Sequence, residues 1–111
     1  MSTSTVTRLE NPSNYPHKFA ELTDNVLFGD IWVRPELPPR ERSLATVAAL
    51  VAMYRLEQLP FHLQRAVDNG LAVDELAEVI THLAFYSGWP TAASALKLLN
   101  ELKARLANPQ E

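Results

Sequence analysis

An all-helical fold is predicted by three features of the sequence. Five segments carry apolar residues at spacings of three and four, the period of an amphipathic helix. No segment shows the strict alternation of a half-buried strand. The stretch from Gln58 to Pro90, QLPFHLQRAVDNGLAVDELAEVITHLAFYSGWP, carries start and stop signals for two successive helices.

From the N-terminus, residues 1–13 are polar and rich in Thr and Ser. They read as a flexible arm ahead of one domain over residues 14–111. The arm has no apolar segment of the kind a secretory signal needs. Tyr15 to Phe28 places Phe19, Leu22, Val26 and Leu27 on one stripe, predicting a short amphipathic helix that Gly29 ends. Ile31-Trp32-Val33 is an apolar knot in a loop, and Pro35, Pro38 and Pro39 stiffen the segment after it.

Pro39 suits the first turn of the next helix, where a missing N–H is no loss. Between Leu44 and Met53 only Thr46 is polar, so this helix is expected to be buried on all sides at the centre of the core. The third helix opens at Pro60 and stops at Asn69-Gly70, with Gly70 as a left-handed cap. The fourth opens on Asp74, Glu75 and Glu78, acids that favour the positive end of a helix dipole. Gly88-Trp89-Pro90 closes it. The last helix carries Ala92, Ala95, Leu96, Leu99, Leu102 and Leu106 as a narrow seam of near-heptad spacing.

Composition narrows the function. The 111 residues carry a net charge of −3 and no basic run, which argues against a nucleic-acid surface. The longest apolar run, Ala48 to Met53, is too short to span a bilayer. There is no cysteine, which excludes disulfides, thiolate metal sites and thiol chemistry and fits a cytoplasmic protein. A chain this short covers only about two thirds of its own surface. The Leu44–Met53 helix and the Ala92–Leu106 seam therefore predict a homo-oligomer.

Several runs are similar to one known family: Arg42-Ser43-Leu44, Val47-Ala48-Ala49-Leu50, Glu57-Gln58-Leu59-Pro60-Phe61-His62-Leu63, Asn69-Gly70-Leu71, Glu75-Leu76, and Glu78 through Pro90. In this order they resemble the carboxymuconolactone decarboxylase family. The resemblance implies an alkylhydroperoxidase-D-like helical subunit assembled as a trimer or hexamer. One branch of that family reduces peroxides through a cysteine pair ahead of a histidine. Here the histidine is His62 and the cysteine positions hold Arg55 and Gln58, while Ser43 stands where that branch has a glutamate. The other branch, which this sequence resembles more, decarboxylates a lactone in aromatic-acid breakdown without a cofactor.

Six side chains ride on the Gln58–Pro90 pair: His62, Arg65, Glu78, His82, Tyr86 and Trp89. His62 lies at the edge of an apolar stripe, either as a core histidine bonded to a carbonyl or as a catalytic acid–base. His82 stands one turn from both Glu78 and Tyr86, which makes it a second catalytic candidate or half of a surface pair. Arg42 offers a planar fork to a substrate carboxylate, or else pairs with a neighbouring acid. Tyr86 and Trp89 either wall a pocket or simply pack. His17, His62 and His82 show no metal-ligand spacing, so no metal is expected. The expected function is a cofactor-free lyase acting on a small carboxylated lactone such as 4-carboxymuconolactone. The alternative is an oligomeric binding protein without chemistry, and the absence of cysteine argues against a peroxidase.

Overall fold

The computed structural model describes residues 12–108, so most of the expected arm, residues 1–11, lies outside the described residues. Five α-helices account for most of the rest: α1 (His17–Leu22), α2 (Pro39–Ala52), α3 (Leu59–Asp68), α4 (Val73–Ser87) and α5 (Trp89–Ala107). No strand occurs among the described residues. The chain divides into two compact units, one ending at Pro39 and one beginning at Arg40.

In the first unit, Pro12–Asn14 forms a 3-10 turn and α1 runs directly into a π-helical turn at Thr23–Leu27. The wider turn is closed by Phe28 N–H donating to the Thr23 carbonyl at 3.0 Å. A π turn adds a residue per turn and rotates the face that follows. The expected stripe is exposed throughout, at Phe19 and Leu22 before the π turn and at Val26 and Leu27 within it, while Thr23 and Phe28, one π turn apart, are buried. Ile31–Val33 is a 3-10 turn whose Trp32 packs on Phe28 with ring centroids 5.6 Å apart.

The second unit holds one apolar core. Val47 and Val51 of α2, Leu59, Leu63 and Ala66 of α3, Leu76 and Ile80 of α4, and Ala92, Ala95, Leu99 and Leu102 of α5 form a single buried cluster. α5 packs along α4 and against α3. Two expectations change here. Within one subunit α2 is not buried all round: Ser43, Val47 and Val51 face the core, but Ala45, Ala49 and Ala52 are exposed, as is Met53 just beyond the helix. Alanine fits a helix in either setting, so an alanine-rich run does not reveal which of its sides is covered. The α5 seam lies in the core of its own subunit, with only Leu106 left exposed.

The helix ends follow the local chemistry of the sequence. Leu71 N–H donates to the Ala66 carbonyl at 2.9 Å and Gly70 N–H to the Val67 carbonyl at 3.0 Å, a complete Schellman cap with Gly70 at φ 110°. Gly88, at φ 108° and ψ 146°, is the single residue between α4 and α5, a conformation open essentially only to glycine. α2 closes with the same pair of bonds, Arg55 N–H to Leu50 and Tyr54 N–H to Val51, but with Tyr54 at φ 61° in the left-handed position. That conformation costs a side-chain-bearing residue about 1 kcal/mol. The Tyr54 hydroxyl lies 3.3 Å from Ser94 Oγ of α5, which holds the loop in place.

Candidate functional site

α3 is amphipathic, with Leu59, Leu63 and Ala66 fully buried. His62 precedes Leu63 by one residue, so it falls at the edge of that stripe, half-buried, with its Nδ1 completely enclosed. Its ring meets Phe61 edge-on at 5.0 Å. Arg65 follows one turn later, half-buried, with its guanidinium carbon 5.6 Å from the centre of the Phe61 ring. Burial first, and then the positive charge of Arg65, lowers the His62 pKa from 6.5 to about 4. His62 is therefore a neutral imidazole at neutral pH.

This shift makes stability depend on pH. Between pH 6.5 and about 4 the unfolded chain takes up a proton that folded His62 refuses. The contribution is complete above pH 6.5 and is lost as the pH falls toward 4. Its size is about 2 kcal/mol after discounting for the partial exposure of the ring. Urea unfolding at about pH 7.5 and about pH 4.5 should show the wild type losing this much more stability than His62→Gln. Equal losses in the two proteins would mean that His62 titrates normally.

The other candidates lie on α2, α4 and α5. Glu78, His82 and Tyr86 share a flank of α4, and the His82 and Tyr86 rings lie 5.0 Å apart. Between α2 and α4 runs a groove of about 480 Å³, floored by Leu44, Ala48, Val79 and Leu83 and edged by Glu75, Glu78 and His82. Of the predicted site residues this groove takes in His82, and its lining does not include His62, Arg42, Tyr86 or Trp89. Tyr86 and Trp89 are 77% and 65% exposed, and Phe85, 75% exposed, meets Trp89 edge-on at 5.7 Å.

Arg42 is half-buried in the first turn of α2. Next to it, Ser43 is fully buried and its Oγ accepts a 3.0 Å bond from Asn69 Nδ2, which ties the start of α2 to the end of α3. Arg40 is engaged by carboxylates, at 2.7 Å to Glu75 and 3.1 Å to Glu41. No group of three or more metal-binding side chains stands together among the described residues. No helix there is long and apolar enough to cross a membrane. The residue given no role by the sequence reading is Arg65. The available signal was its spacing of three from His62, which puts the two on one helix face.

The chain is 36% identical over 94 residues to the 4-carboxymuconolactone decarboxylase of Acinetobacter baylyi, a match spanning 85% of this chain and 70% of that protein. It is 29% identical over 98 residues to the nitrosuccinic acid decarboxylase npaB of Metarhizium robertsii, spanning 85% of this chain and 68% of that one. The pattern of the carboxymuconolactone decarboxylase family matches residues 17–101, from the first residue of α1 well into α5. The chain belongs to the carboxymuconolactone decarboxylase family.

Proposed function

We propose that the protein is a cofactor-free lyase that decarboxylates a small carboxylated lactone such as 4-carboxymuconolactone, in the cytoplasmic breakdown of aromatic acids. The observation that carries this reading is the similarity to 4-carboxymuconolactone decarboxylase, which extends over 94 residues of the chain. The neutral, half-buried His62 beside a guanidinium supports it. In the reaction the bond from carbon to carboxylate breaks and CO2 leaves. The electron pair passes into the conjugated carbonyl as an enolate, and a proton returns to carbon. His62 and His82 are the groups assigned to proton transfer and to hydrogen bonding of the enolate oxygen. Arg42, Tyr86 and Trp89 are assigned to substrate binding, with residues of a neighbouring subunit completing the pocket.

Assembly as an alkylhydroperoxidase-D-like trimer or hexamer belongs to this proposal. Its support is the exposed Phe85, Tyr86 and Trp89 cluster, an apolar patch of the kind that marks interaction surfaces. The chain has no cysteine for the thiol route to peroxide reduction. The test is incubation of the purified protein with 4-carboxymuconolactone in D2O. One CO2 is expected per substrate consumed, with one solvent deuterium in the product. A folded protein that releases no CO2 above background would remove the lyase reading.

A further inference from the structure

We propose that the groove between α2 and α4 binds a small amine, with its apolar body on the floor and its ammonium group at Glu78. The space comes from the residues that face it. Leu44 and Ala48 stand one turn apart on α2, and Val79 and Leu83 one turn apart on α4. All four are half-buried, so each leaves apolar surface that a ligand would remove from water. The single methyl of Ala48 leaves room that a larger side chain would fill. The resulting volume of about 480 Å³ lies in the range of small-molecule sites, whose usual make-up is an apolar floor with a few polar groups at its edge.

The charge around the groove selects the ligand. Glu75, Glu78 and His82 form its polar edge, and no lysine or arginine lines it. The two carboxylates differ. Glu75 is used on both oxygens, by the Ala72 N–H at 2.9 Å and by Arg40 at 2.7 Å. Glu78 is exposed, and among the described residues neither a lysine, an arginine nor His82 forms an ion pair with it. It stands one residue before Val79, so a negative charge lies beside the floor. An anion would meet repulsion here, and a neutral ligand would leave the charge unused. A cation on an apolar body satisfies both features, because a charge-assisted hydrogen bond to carboxylate is stronger than a neutral one. This inference goes beyond the lyase reading, which gives Glu78 and the floor no part.

The test needs no turnover. Phenethylamine is titrated into the full chain, and the methyl resonances of Leu44, Val79 and Leu83 are followed by NMR. Phenethyl alcohol and hydrocinnamate present the same ring with a neutral and a negative end. The amine should shift these methyls and bind more tightly than the alcohol on the order of tenfold, with hydrocinnamate weakest. Glu78→Gln should remove the advantage of the amine and leave the alcohol unchanged. Ala48→Phe should fill the floor and exclude both. Equal binding of amine and alcohol by the wild type overturns the inference, whether or not Ala48→Phe folds. So does a preference for the amine that survives in Glu78→Gln. Methyls that the amine leaves unmoved overturn it too, the result expected if a second copy of the chain covers the groove.

Discussion

His62→Gln is expected to lower kcat on 4-carboxymuconolactone on the order of a hundredfold, the usual scale for the loss of one acid–base group. Glutamine keeps a polar, hydrogen-bonding side chain of similar reach on α3, so the helix should persist and circular dichroism should be unchanged. The pH profile separates catalysis from packing. Free His62 is neutral above about pH 4, and the neutral ring is the form present at working pH. Wild-type kcat/KM, which reports the free enzyme, should be flat through neutrality and fall as the pH drops toward that value. The residual activity of His62→Gln should lack that acidic limb. A variant with unchanged rates would reduce His62 to a packing residue. A wild-type rate that climbs steadily toward acid would mean that the imidazolium is the active form.

Leu99→Glu is expected to unfold the subunit. Leu99 is 2% exposed in the core where α5 meets α3 and α4. The substitution removes a buried leucine, a loss of about 2–5 kcal/mol, and leaves a carboxylate without water or a partner. Together these approach the entire stability of a small domain, about 5–15 kcal/mol. Thermal melting followed by circular dichroism should show little cooperative transition. Phe85→Glu, on the exposed aromatic patch, should still unfold in a cooperative transition, at a Tm lowered by the loss of assembly, while reducing the mass seen by light scattering. A Leu99→Glu protein that melts like wild type would mean that the α5 seam does not face inward.

The helix boundaries were largely legible because they are local. Gly70 and Gly88 stand where a positive φ is required, and Pro39, Pro60 and Pro90 open helices that do form. Which side of a helix is covered depends on distant residues. The alanines of α2 looked alike on every face, and only the fold shows Val47 inward and Ala49 outward. The turn at Tyr54 carried no Gly or Asn to announce its left-handed backbone. The π turn after α1 left no compositional mark, and the stripe expected there is exposed on both sides of its start. Within the candidate site, partners one turn apart were legible, such as Glu78 with His82 and His82 with Tyr86. The depressed basicity of His62 was not, because it comes chiefly from burial, which spacing does not measure.

The carboxylate of Glu75 joins two helix starts. One oxygen accepts the Ala72 N–H at 2.9 Å, capping the first turn of α4, and the other accepts Arg40 at 2.7 Å from the first turn of α2. Ala72 has no side-chain oxygen to return the bond, so the cap relies on this one residue. Removing that carboxylate, as in Glu75→Ala, would leave the Ala72 N–H without its acceptor and Arg40 with Glu41 alone, so one side chain sets fraying at both helix starts. The effect should be larger at α4, because the Arg40 pair is half-exposed and worth only about 0–1 kcal/mol.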